Sequence, residues 1–264
     1  MNGHRIFSIS AHTARAATVL TLALALSSCS TSPTGRAQFA FLPDSVVNQL
    51  GVDAFNDMRR SRAEVDDGFV AAYVNCVANE VVAALPDSAS QADWQVVVFA
   101  DDSANAFALP GNRIGVHEGM LDVAQDQHQL AAVIGHEIAH VLARHANERM
   151  STSIATQTGL TVASGALQDS ATRPYVMAAL GIGTQVGLAL PYNRAREAEA
   201  DIMGLEFMAR AGFQPGASVV LWENMAAQSQ GTRPPEFLST HPSHSTRIAG
   251  LSHRLGEVRP LYED

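Results

Sequence analysis

The chain has no lysine: all 17 of its basic residues are arginines, set against 26 acidic ones for a formal charge of −9. Without lysine there is no P-loop phosphate ligand, no Schiff-base amine and no Ser–Lys dyad. The acidic balance leaves no basic face for a phosphate backbone, so no nucleic-acid partner is expected. Two cysteines, Cys29 and Cys76, are too few for a four-thiolate zinc site or an iron–sulfur cluster. The longest apolar runs, 16–26 and 176–190, fall short of the about 20 residues that cross a bilayer. What is present is a 264-residue chain that is 47% hydrophobic, too apolar for disorder and long enough for one large domain or two small ones with an ample core.

The first residues read as an address. Arg5 and Arg15 precede the apolar run 16–26, and Leu26-Ser27-Ser28-Cys29 follows it, the layout of a secretory signal. That ending resembles the bacterial lipobox, in which Cys29 becomes the lipidated first residue. An ordinary signal cut nearby, with Cys29 incidental, is the alternative. Ser30 after the cysteine points, by the bacterial sorting preference, to the periplasmic side of the outer membrane. The expected organisation is a signal peptide over 1–28, a lipid anchor and tether over 29–43, and a catalytic domain over 44–264. Residues 30–38 are rich in Ser, Thr, Pro and Gly, as a tether would be. Cys76 stands at helical spacing with Phe69, Tyr73 and Val77 and reads as a small buried hydrophobe.

Helical periodicity covers 44–60 and 64–85, with Pro86 as a stop. Residues 94–100 form the strongest strand pattern, and 105–109 and 113–116 flank the turn signal Pro110-Gly111-Asn112, which predicts a hairpin. Helices are expected at 117–124, 126–149, 151–168, 174–190, 194–211, 215–229 and 244–256. The run 176–190 reads as a core helix or, alternatively, a membrane-facing flap. Strands early and helices afterwards predict an α+β fold, mainly helical with a small sheet.

One helix carries the chemistry. Asp126 and Gln129 form a capping box at its start, and Leu130, Val133, Ile134, Ile138, Val141 and Leu142 make most of its circumference apolar. Into that surface the sequence sets His136-Glu137-Ile138-Ala139-His140. Imidazoles four residues apart share a helix face and can converge on one ion, while Glu137 lies about 100° round the helix, within reach of a water there. Two core histidines satisfied by backbone carbonyls are the bland reading, but burying two imidazoles and a carboxylate without partners costs several kcal/mol, about what a metal would relieve. A third protein ligand is needed. Glu197 and Asp201 share a face of a later helix, and Glu199 points roughly 200° away. Glu197 is expected as the ligand, and Asp201 as the carboxylate holding a histidine's second nitrogen.

This constellation resembles the gluzincin metallopeptidases related to HtpX and the CAAX prenyl protease, closest to periplasmic lipoprotein members such as LoiP and BepA. The resemblance covers about residues 95–250. It implies a zincin-like domain whose β-sheet has an edge strand facing the active-site cleft, with Asn105-Ala106-x-x-x-Pro110-Gly111-x-x-Ile114 as the peptide-binding segment. Asn112 stands where the family often has a second Gly, and Asn tolerates the left-handed backbone required there. His136, His140 and Glu197 would hold one zinc ion, and Glu137 would act as general base and then acid. His241 would latch the fourth ligand position or help stabilise the oxyanion. Arg247 and Asn105 would contact substrate or oxyanion. His117, His128, His145, His244 and His253 read as surface residues. The implied activity is zinc endopeptidase cleavage of unfolded or misassembled envelope proteins in outer-membrane quality control. The rival reading is a chaperone or assembly factor working with the outer-membrane assembly machinery, and a purely structural zinc is a third.

Overall fold

The computed structural model describes residues 29–156, 194–229, 235–242 and 245–263. An N-terminal hairpin, β1 (Cys29–Thr31) and β2 (Ala37–Phe39), leads into α1 (Asp44–Ser61), α2 (Gly68–Ala83) and the single turn α3 (Asp87–Ser90). The strands β3 (Gln95–Phe99), β4 (Ala106–Leu109) and β5 (Arg113–His117) follow, then a short 3-10 turn over Glu118–Asp122. The rest is helical: α4 (Gln127–Leu142), α5 (His145–Thr156), α6 (Arg194–Arg210), α7 (Ala217–Gln228), the single turn α8 (Phe237–Thr240) and α9 (Ser245–Glu263). The fold is α+β, as the order of patterns predicts.

The sheet runs β3-β5-β4, with β3 parallel to β5 and β4 antiparallel to it, Ala108 opposite Ile114. β4 is therefore an edge. Its connection to β5 needs two successive left-handed residues, Gly111 at φ 82° and Asn112 at φ 62°, the conformation that Asn adopts more readily than other side-chain-bearing residues.

Helix α4 runs through the main core. Asp126 caps it by accepting from the Gln129 backbone N–H at 2.8 Å. From Gln129 to His140 every residue of the helix is buried, because the sheet and α2 lie on one side and α6 and α7 on the other. Where α4 crosses α6, Gly135 and Gly204 allow backbone against backbone. A β-carbon on Gly135 would meet the Gly204 carbonyl oxygen at 2.9 Å. This approach brings the start of α6 against the histidine-bearing turns of α4. A second apolar cluster, including Phe55, Met58, Phe99 and Phe107, fills the space between α1 and the sheet.

Four expectations change. Residues 29–43, expected as a lipid anchor and tether, make contacts with the rest of the fold. Gln38 donates to the Ala143 carbonyl at 2.5 Å, the Leu42 carbonyl accepts from Asn147 at 2.8 Å, and Leu42 is buried. Composition suggested flexibility, but alternation set Gln38, Ala40 and Leu42 inward against outward Phe39 and Phe41. The helix expected over 126–149 is two, broken at Ala143-Arg144, where Arg144 has φ 56°. Cys76 is exposed, because the buried face of α2 is Val74, Val77, Ala78 and Val81. The last helix runs on past 256 to Glu263, its end held by buried Val258 despite Pro260 within it. The helix expected at 174–190 and most of that at 151–168 lie outside the described residues. No helix among the described residues is long and apolar enough to cross a membrane.

Candidate metal centre

Two turns of α4 and the start of α6 meet at one point. His136 Nε2 and His140 Nε2 are 3.0 Å apart. Glu197 reaches them from α6, Oε2 lying 3.5 Å from His136 Nε2 and Oε1 3.6 Å from His140 Nε2. His241, just after α8, completes the group, its Nδ1 3.2 Å from both His136 Nε2 and Glu197 Oε1. One donor atom from each of these four residues lies within 4.8 Å of all the others, and all four side chains are buried. A tetrahedral ion with bonds of about 2.0–2.2 Å separates its ligand atoms by roughly 3.3–3.6 Å. The observed spacings match that figure to within a few tenths of an ångström.

Around this group lie the parts that orient it. Asp201 Oδ1 is 3.1 Å from His136 Nδ1, on the far side of the ring from the cluster. Glu137 Oε2 accepts from the Ala108 backbone N–H at 3.0 Å, which ties the β4 edge to the helix. Its other oxygen, Oε1, is buried without a hydrogen-bond partner and lies 3.4 Å from His241 Nε2. An orphaned carboxylate oxygen beside three imidazoles and a second carboxylate is a costly arrangement for a metal-free core. It suits a borderline divalent cation held by the donors of His136, His140, Glu197 and His241. A cavity of about 200 Å³ opens beside His140, Ala108 and Pro110.

Residues 70–255 match the model of Peptidase family M48. The chain belongs to peptidase family M48. It is 36% identical over 188 residues to the mitochondrial metalloendopeptidase OMA1 of Schizosaccharomyces pombe, covering 71% of this chain and 53% of that relative. It is 29% identical over 219 residues to the beta-barrel assembly-enhancing protease of Escherichia coli, covering 81% of this chain and 44% of that one. The metalloendopeptidase OMA1 of Danio rerio is 38% identical over 180 residues, 65% of this chain and 37% of its own length. This chain thus spans about half the length, or less, of these curated relatives.

The electrostatics of this M48 centre follow from burial and pairing. Burial alone would depress the His136 imidazolium, but Asp201 and Glu197 outweigh it and lift the group to about 9. His140 goes the other way, held well below the ordinary histidine value by burial and then by the neighbouring His136 charge. Burial pushes the Glu137 carboxyl up. Burial would also raise Glu197 and Asp201, yet His241 and His136 hold Glu197 well below the usual carboxylate range, and Arg247 lowers Asp201.

The fold brings His136, Glu137, His140, Glu197, Asp201 and His241 together. Arg247, expected to contact substrate or oxyanion, is engaged with two carboxylates of the centre. Its Nε and Nη2 donate to Asp201 at 2.7 and 2.6 Å, its Nη1 lies 2.8 Å from Glu197 Oε2, and it stacks 3.8 Å over Trp222. Two buried carboxylates need a buried cation, and Arg247 clamps both in place. Asn105 lies just before β4, outside the cluster, its carbonyl oxygen accepting from the His117 N–H at 2.9 Å. Two histidines expected at the surface are buried: His117, against Ser103 at 2.8 Å, and His145 beside the metal centre. Proximity of His145 to the zinc-type motif was the available signal, but helical phase argued against contact because the break at Arg144 is not encoded by Gly or Pro.

Proposed function

We propose that this chain is a zinc-dependent metalloendopeptidase acting on unfolded polypeptide. The observation that carries the reading is Glu137 Oε1, buried without a hydrogen bond against a His136–His140–Glu197 set whose spacing suits one ion. Two imidazoles and a carboxylate are a donor set typical of catalytic zinc, with His136, His140 and Glu197 as the three ligands. When bound, zinc would act as a Lewis acid and lower the pKa of water towards about 7. Glu137, held by the Ala108 N–H on one oxygen, uses the other to take the proton of the attacking water and returns it to the leaving amine nitrogen. Asp201 holds His136 through Nδ1, and Arg247 keeps Asp201 ionised. The β4 edge lies in the same cleft, so an extended peptide can add to the sheet there through main-chain bonds, which require little particular sequence.

His241 is the fourth member of the donor cluster and would serve as a latch that a substrate displaces. That closed arrangement favours a second reading, a chaperone or assembly factor for outer-membrane proteins with a weakly active centre. In either case the signal pattern before Cys29 supports lipid anchoring at Cys29 and a place on the periplasmic side of the outer membrane, in quality control of envelope proteins. The experiment compares wild type with Glu137→Gln on an unfolded substrate such as casein, with zinc measured in both. Zinc is expected to stay bound while cleavage falls by at least about a hundredfold, the scale of a lost general base. Cleavage retained in the variant would remove Glu137 from the reaction. Assembly activity surviving in the variant would establish the chaperone reading.

A further inference from the structure

His145 opens α5, and its side chain is fully buried. In an unbroken helix, a residue five positions after His140 would sit about 140° round the axis from it. The chain instead leaves α4 at Ala143, and Arg144 takes a left-handed φ of 56°. That reversal sets His145 Nδ1 2.8 Å from His140 Nδ1. The other ring nitrogen of His145, Nε2, lies 3.1 Å from Glu199 Oε2. Glu199 in turn accepts from Thr34 Oγ1 at 2.5 Å and from Arg36 Nε at 2.8 Å, both in the connection between β1 and β2.

One proton arrangement satisfies every member of this chain. A His140 that offers Nε2 to a cation keeps its own proton on Nδ1 and donates it. His145 accepts that bond at its Nδ1 and directs its single proton, on Nε2, to the Glu199 carboxylate. Metal-binding histidines ordinarily donate their second N–H to a carboxylate or carbonyl, which fixes tautomer and ring angle. His136 is placed against Asp201 directly. His140 has an imidazole inserted between itself and its carboxylate.

We propose that His145 is a positioning residue for the metal centre, fixing the tautomer and orientation of His140 and tying it through Glu199 to the N-terminal hairpin. This rests on the reading of the cluster as a zinc site. Thr34 and Arg36 thereby become part of the support of the catalytic helix, although they lie more than a hundred positions from His140 in sequence.

Zinc affinity of the full chain, measured by chelator competition, tests it with two substitutions that split the two contacts. His145→Asn places an amide oxygen where Nδ1 was and gives up the reach to Glu199. His145→Gln carries its polar end towards Glu199 and leaves His140 without an acceptor. Asn is expected to bind zinc within about threefold of wild type, and Gln about 10–100-fold more weakly, the usual effect of losing an outer partner. Thermal unfolding of the metal-free variants should rank the other way, Gln above Asn, because the Glu199 contact anchors the hairpin. A purely structural His145 would make zinc affinity follow the unfolding order. Equal affinities, or Gln tighter than Asn, overturn the proposal while leaving the zinc site standing. A wild-type chain that binds no zinc overturns the site and the proposal together.

Discussion

Gly204 on α6 faces His136 on α4 so closely that a β-carbon at residue 204 would stand 2.7 Å from the His136 backbone nitrogen. The contact lies on the same helix pair that joins Glu197 to the histidines, so packing and ligand geometry are coupled at this point. Gly204→Ala must push the helices apart, since the atoms in the way are backbone and cannot rotate aside. Overpacking of this kind costs about 1–3 kcal/mol. The variant is expected to unfold at lower denaturant and to bind zinc more weakly than wild type. Unchanged urea midpoint and zinc affinity would show that the helices can yield without loss.

His241 gives a prediction of opposite sign. It is the fourth member of the cluster and faces Glu137 Oε1 at 3.4 Å, where the proposed reaction would place a substrate carbonyl and water. His241→Ala leaves His136, His140 and Glu197 as ligands, so zinc should remain. Cleavage of an unfolded protein is expected to rise by about tenfold, equivalent to about 1.4 kcal/mol of latch opening. Steady-state assays of kcat/KM check this, and a fall in activity with zinc retained would assign His241 to oxyanion stabilisation instead.

The metal-free protein should show the charge arrangement directly. His136 is raised from 6.5 to about 9, so the folded state keeps a proton that the unfolded chain releases. Its stabilising contribution is complete below 6.5 and disappears as pH rises through 9. Glu197 and Asp201 are lowered, so they stabilise above the ordinary carboxylate range and lose that contribution as pH falls through their depressed values. A zinc ion must displace the His136 proton, so apparent affinity is expected to rise about tenfold per pH unit between about 7 and 9. Chelator competition across that range measures the slope, and a flat profile would mean that His136 is already neutral in the metal-free state.

Sequence alone determined the α+β class, the β4–β5 hairpin and its left-handed turn, the buried helix bearing His136, Glu137 and His140, and the shared face of Glu197 and Asp201. Each is a local matter of periodicity, capping or turn chemistry, settled within a few residues. Tertiary structure decided what those faces meet. It set Arg247 as a clamp on two carboxylates, because their burial demanded a buried cation. It made residues 30–42 part of the domain and used Arg36 to hold Glu199. It also broke α4 at Arg144, so that His145 lies where helical phase would not put it. A left-handed residue without a glycine is held by contacts distant in sequence, here Asp44 on the Arg144 side chain and Gln38 on the Ala143 carbonyl, and such contacts leave no local pattern to read.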